Sequence, residues 1–111
     1  RPDGARMMGG NFAHREDWHE FSPMFLSTNT NKRGLTLNLE DPRGADVARA
    51  LLKHCDVFVE NYSPRVIEKF GLDWATVHAL NPRCIMVRMP AFGLDGPWKN
   101  HVGFAQTMEQ I

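Results

Sequence analysis

The segment Glu60-Asn61-Tyr62-Ser63-Pro64 joins the end of an apolar run to a helix start that carries Arg65 and Lys69. In open parallel sheets, ligands bind beyond the carboxyl ends of the strands, and a helix start offers free amides to an anion. The Asn61 carboxamide, those amides and the two cations together could hold a phosphate. The same residues also suit a plainer role, with Asn61 closing a turn, Tyr62 packing and both cations on a solvated face. A second stretch, Phe92-Gly93-Leu94-Asp95-Gly96-Pro97-Trp98, is either a flexible surface loop or a cover over bound substrate. It has neither GxGxxG spacing nor the lysine of a phosphate-cradling loop, so no nucleotide fingerprint is present.

Other chemistries find less support. The five histidines, His14, His19, His54, His78 and His101, have no carboxylate or thiol at metal-ligand spacing, and no metal is expected. A nucleophile elbow of the GxSxG type is missing. Thirteen basic residues balance thirteen acidic ones over 111 residues, so there is no basic field to attract a nucleic-acid backbone. No apolar run approaches the ~18 residues of a membrane span. Neither nucleic acid nor membrane is an expected partner. At 42% hydrophobic and 23% charged residues, the chain is that of a globular protein of one domain or part of one. Cys55 and Cys84 read as reduced, buried thiols of a cytoplasmic protein. The start at Arg1, without initiator Met or signal segment, reads as a mature, trimmed or internal segment.

The elements that would position these residues follow from periodicity. Residues 1–30 form a polar, irregular lead-in, broken only by a helix start near Ser22-Pro23, with serine as cap and proline at the first helical position. Leu35-Thr36-Leu37-Asn38-Leu39 alternates as a strand with one buried face. Asp41-Pro42 opens a helix through His54, with Ala45, Val47, Ala48, Leu51 and Leu52 at helical spacing. Val57-Phe58-Val59 predicts a strand buried on both faces. A helix from Ser63-Pro64 to Gly71 follows, then a shorter one capped by Asp73 and ended by Asn81-Pro82. The run from Cys84 to Met89 predicts a third strand, residues 90–103 a loop, and Phe104 a further helix start. The fold class is α/β, a parallel sheet with flanking helices and right-handed crossovers.

Several stretches resemble one known family. Asn31 through Leu39, Asp41-Pro42-Arg43-Gly44, Asp56 through Pro64, Gly71-Leu72-Asp73, Leu80-Asn81-Pro82-Arg83, and Phe92-Gly93 with Gly96-Pro97-Trp98 match, in order, the pattern of the family III CoA-transferases. The group includes formyl-CoA transferase, carnitine CoA-transferase and α-methylacyl-CoA racemase. The resemblance implies that residues 31–111 are a partial Rossmann-like parallel sheet with flanking helices, part of the large domain of an acyl-CoA:carboxylate CoA-transferase whose substrates are an acyl-CoA and a carboxylic acid, working as an interlocked homodimer when full length. An aspartate nucleophile would form a mixed anhydride and then an enzyme-bound CoA thioester before CoA passes to the second acid. By position, Leu37 and Leu39 would line the adenine side of a coenzyme A pocket. Asn61 and Tyr62 would contact the nucleotide, with Lys69 and Phe70 near its phosphates.

The resemblance also implies that the family's first strand–helix–strand segment and its nucleophilic aspartate lie outside residues 1–111. No catalytic residue is then assigned within them, and the segment by itself is expected to be inactive. Where the racemase branch carries a catalytic histidine the chain has Phe104, which argues against racemase, and where relatives place an acid it has Ala105. Glu109, four residues later, would share a helix face with Ala105 and could stand in for that acid; it also suits a solvated first turn. Two other readings fit the same residues: a non-catalytic CoA- or nucleotide-binding module, or a folding unit that needs a partner chain.

Overall fold

The computed structural model describes residues 3–8, 14–105 and Glu109. It divides into two compact units, Arg1–Leu35 and Thr36–Ile111. The first contains short 3-10 turns at Gly4–Met7 and Trp18–Glu20, then helix α1, Pro23–Thr28. Ser22 caps α1 by accepting from the Phe25 amide at 3.3 Å, and Pro23 takes the first helical position, where its missing N–H costs nothing. The Ser22 hydroxyl is buried and also lies within hydrogen-bonding reach of the Ala5 and Met8 carbonyls. Arg6 spreads its guanidinium 3.7 Å over the Phe25 ring and donates to the His19 carbonyl at 2.8 Å. The stretch expected to be irregular is therefore organised around two polar side chains, which leave no hydrophobic period in a sequence.

The second unit runs α2 (Pro42–Leu52), β1 (Val57–Glu60), α3 (Pro64–Lys69), α4 (Trp74–Leu80) and β2 (Ile85–Arg88). The strands pair in parallel, from Val57 opposite Ile85 to Glu60 opposite Arg88, and α3 and α4 form the crossover. Local chemistry sets each boundary. Asp41 accepts from the Arg43 amide at 2.9 Å to start α2, and Asp73 accepts from the Thr76 amide at 3.0 Å to start α4. At the end of α3, Gly71 adopts φ +62°, so that its amide reaches the Glu68 carbonyl and the Leu72 amide reaches Ile67. This is the left-handed turn that glycine adopts without a Cβ penalty, and it folds Leu72 back into the core. Asn81 ends α4 and donates to the Leu52 and Cys55 carbonyls at 3.1 and 2.9 Å, holding the end of α2 against it.

The core is one-sided. Leu52, Ile67, Leu72 and Val77 are buried together, and Phe58, Met86, Leu39, Ala48, Phe70 and Cys84 pack around them. Phe58 and Met86 face each other across the strands, so the even positions of the sheet look towards the helices. The odd positions do not: Val57, Val59, Ile85 and Val87 are exposed. The expectation that Val57–Val59 is buried on both faces is thus corrected, because no described element covers the second face. The expected strand at Leu35–Leu39 is also absent, leaving two strands among the described residues where three were expected. The alternation survives as burial, since Leu37 and Leu39 are half-buried between exposed Thr36, Asn38 and Glu40, but among the described residues no strand lies alongside to accept a ladder. Cys55 and Cys84 are free thiols, half-buried rather than buried.

Residues 36–40 are held by α2 instead. Asn38 turns the chain, its side chain accepting from the Glu40 amide and its carbonyl from the Asp41 amide. Gly44 lies so close that a Cβ would overlap the Asn38 carbonyl oxygen. Gly44→Ala should therefore cost about 1–3 kcal/mol of stability, the usual penalty of overpacking, measured by urea denaturation. Amide chemical shifts of residues 36–40 should move with it.

Candidate functional site

The carboxyl ends of β1 and β2 lie side by side, and the chain leaves β1 through Asn61-Tyr62 into α3. The Glu60 side chain is only 1% exposed. Its Oε1 accepts from Arg88 Nε at 2.9 Å and its Oε2 from the Tyr62 amide at 2.9 Å. The carboxylate thus joins the two strand ends to the turn that follows. Arg88 Nη2 is buried without a hydrogen-bond partner among the described residues. Sequence reasoning marked Glu60 only as a strand end and left Arg88 inside an apolar run. The missed signal was a single acid and a single base closing two parallel apolar runs, a cross-strand pair of opposite charge.

Among the six residues assigned by resemblance, the structure brings several together. The Tyr62 ring meets Phe70 edge-on, with centroids 5.8 Å apart, and Phe70, like Leu39, packs on the core. Lys69 Nζ lies 2.8 Å from Glu40 Oε1, next to Leu39. Asn61 and Tyr62 are exposed at the turn. Leu37 lies apart from these, in a shallow open groove of ≈ 320 Å³ that it shares with Thr36, Asn38, Asp41, Arg43, Gly44 and Val47.

The anion site imagined at the start of α3 is not assembled. That helix has six residues, Pro64 has no N–H, and the Val66 and Ile67 amides both point to the Ser63 carbonyl. Lys69 stands at the opposite end of the helix. Ser63 precedes Pro64 but makes no capping hydrogen bond through its side chain.

The glycine stretch is a self-packed loop. Gly93 and Gly96 take φ +82° and +80°, turns open to glycine, and Phe92 meets Trp98 and His101 edge-on at 6.1 and 6.0 Å. Ala105 and Glu109 are both exposed, and the Glu109 amide donates to the Ala105 carbonyl at 2.9 Å. Most of the helix expected after Phe104 lies outside the described residues. No group of three or more His, Cys, Asp or Glu among the described residues is placed to hold a metal ion. No described helix is long and apolar enough to cross a membrane.

Comparison with known proteins identifies the class. The profile of CoA-transferase family III matches residues 1–111, and the chain belongs to that family. It is 45% identical over 87 residues to the succinyl-CoA–L-malate CoA-transferase beta subunit of Chloroflexus aurantiacus, covering 78% of this chain and 22% of that one. It is 41% identical over 76 residues to the formyl-CoA:oxalate CoA-transferase of Rhodopseudomonas palustris, covering 68% and 18%. Among solved structures, a CAIB/BAIF family protein from Brucella suis superposes with a TM-score of 0.74 at 28% identity, over 80% of this chain and 24% of that one. Rv3272 from Mycobacterium tuberculosis superposes at 0.76 and 26% identity, over 92% and 28%. The chain therefore spans about a fifth of the transferases and about a quarter of the solved chains.

The Lys69 ammonium, hydrogen-bonded to Glu40, holds that carboxyl below the ordinary carboxylate range. With the folded value depressed, the interaction is complete above the unfolded value and is lost as pH falls through the folded one. In an NMR titration, Glu40 should therefore titrate below ~4.3, the usual glutamate value. In Lys69→Ala its midpoint should rise towards that value; an unmoved midpoint would show that the ion pair does not form in solution.

Proposed function

We propose that this chain supplies the coenzyme A-binding part of an acyl-CoA:carboxylate CoA-transferase. Membership of the family supports the reaction class, and the turn after β1 is the feature that most directly supports the site. There an exposed carboxamide, Asn61, and a ring, Tyr62, project from the carboxyl end of a parallel strand, held against Phe70. In this reading Asn61 and Tyr62 contact the nucleotide of CoA, Leu37 and Leu39 border its adenine, and Phe70 lies beneath its phosphates. Lys69 leaves Glu40 to meet a phosphate, exchanging one anion for another with more oxygens to offer.

The bond-making step belongs to an aspartate outside residues 1–111. Its carboxylate attacks the acyl-CoA carbonyl, giving a mixed anhydride and free CoA thiolate; the thiolate then attacks the aspartyl carbonyl of that anhydride, releasing the first acid and leaving an aspartyl thioester. The acceptor acid exchanges with that thioester to carry CoA away. Splitting the transfer in this way replaces one difficult displacement by successive acyl exchanges. The contribution of residues 36–70 is to hold CoA while the acids change. The substrates are an acyl-CoA and a free carboxylic acid, and the full-length parent works as a homodimer.

Isothermal titration with CoA tests this reading. The protein should bind CoA, and Lys69→Ala should weaken binding about tenfold or more, the scale of one lost charge-assisted hydrogen bond. Undiminished affinity in Lys69→Ala would remove Lys69 from the site. A folded protein that takes up no CoA would overturn the assignment.

A further inference from the structure

The buried pair at the sheet end is a costly way to hold two strands together. Glu60 is the one buried charged residue among those described, and Arg88 is largely buried beside it. Taking two charges out of water carries a desolvation penalty that their attraction often fails to exceed, and apolar pairs of similar volume frequently hold a core as well or better. The arrangement also leaves Arg88 Nη2 without a partner among the described residues, a further cost that two packed side chains would avoid. What an apolar pair cannot do is accept the Tyr62 amide. Glu60 does so with Oε2 while Oε1 is anchored on Arg88, so the Asn61–Tyr62 peptide is oriented from the opposite strand.

We propose that Glu60, anchored by Arg88, is a positioning residue that sets the Asn61–Tyr62 turn for the nucleotide end of coenzyme A. The inference rests on the CoA-binding reading above and deepens it. Glu60 does not touch the ligand. It fixes the peptide plane before Tyr62, and with it the direction of the Asn61 carboxamide and the approach of the Tyr62 ring to Phe70. A turn held in advance pays less ordering entropy when ligand arrives, so its loss appears as weaker binding.

The test separates positioning from simple strand-holding. CoA and adenosine 3′,5′-bisphosphate are titrated into wild type, Glu60→Gln, and the double variant Glu60→Leu with Arg88→Met, with thermal melts in parallel. The double variant removes the acceptor of the Tyr62 amide but replaces the ion pair with apolar volume, so it should melt no lower than Glu60→Gln. The double variant should bind CoA and the bisphosphate at least tenfold more weakly than wild type, and Glu60→Gln, whose amide oxygen can still accept from Tyr62, should lose less. Wild-type affinity in the folded double variant would overturn the positioning role while leaving the CoA site intact. A double variant that melts below Glu60→Gln, or fails to fold, would make the pair a structural clamp and also overturn it. Wild type that binds neither ligand would remove the CoA reading itself, and this inference with it.

Discussion

A carboxylate taken out of water must have both oxygens engaged, and at Glu60 that requirement reaches across the fold. One oxygen needs Arg88, which places the last residue of β2 opposite the last residue of β1. The other needs the Tyr62 amide, which bends the chain out of the sheet immediately after Glu60. A slip of β2 by one residue would carry Arg88 to the other face of the sheet, since side chains alternate with period two. It would leave the acid buried and unpaired. The same slip would take Met86 away from Phe58 and break the contact on which the helices rest. Electrostatics and packing therefore demand the same register.

Helix packing carries that register to the site. Ile67 and Val77, both fully buried, place α3 and α4 on the inner face of the sheet, and the glycine turn at Gly71 folds Leu72 in between them. With α3 fixed, Phe70 lies under Tyr62 and Lys69 comes up beside Glu40. The segment that carries Leu37 and Leu39 is fastened to α2 by the close approach of Asn38 to Gly44 rather than by a ladder. The outer face, with Val57, Val59, Ile85 and Val87, has no such cover among the described residues.

The helices were legible because their ends are written in side chains. Ser22-Pro23, Asp41-Pro42, Asp73 and Gly71 all mark boundaries that the structure keeps, each through a bond or a backbone angle local to a few residues. Strands need partners, and partners are not local. Leu35–Leu39 has the alternation of a strand but nothing among the described residues to pair with, while Val57–Val59 has a partner on one edge and packing on one face. The Glu60–Arg88 contact spans 28 residues and Asn81 to Leu52 spans 29, so neither appears as a short motif. The site was legible only as far as its place at the end of a strand. Its internal lock was hidden because opposite charges at two strand ends signify a pair only once the strands are known to be parallel and in register.

The two ion pairs near the site differ in a way that suits a binding function. Glu60 and Arg88 are buried, so breaking their contact would strand a charge in a poorly solvated place, and the turn they hold is firm. Lys69 and Glu40 are each about two-thirds exposed, where an ion pair contributes little to stability and water readily takes over either partner. Lys69 can therefore be drawn away by an incoming phosphate at little expense, while Glu40 returns to solvent. Were the burial reversed, the lysine would be locked and the turn loose. In the proposed reading the fixed turn recognises the nucleotide and the readily released cation meets its phosphates, a distribution of stiffness that suits reversible coenzyme A binding.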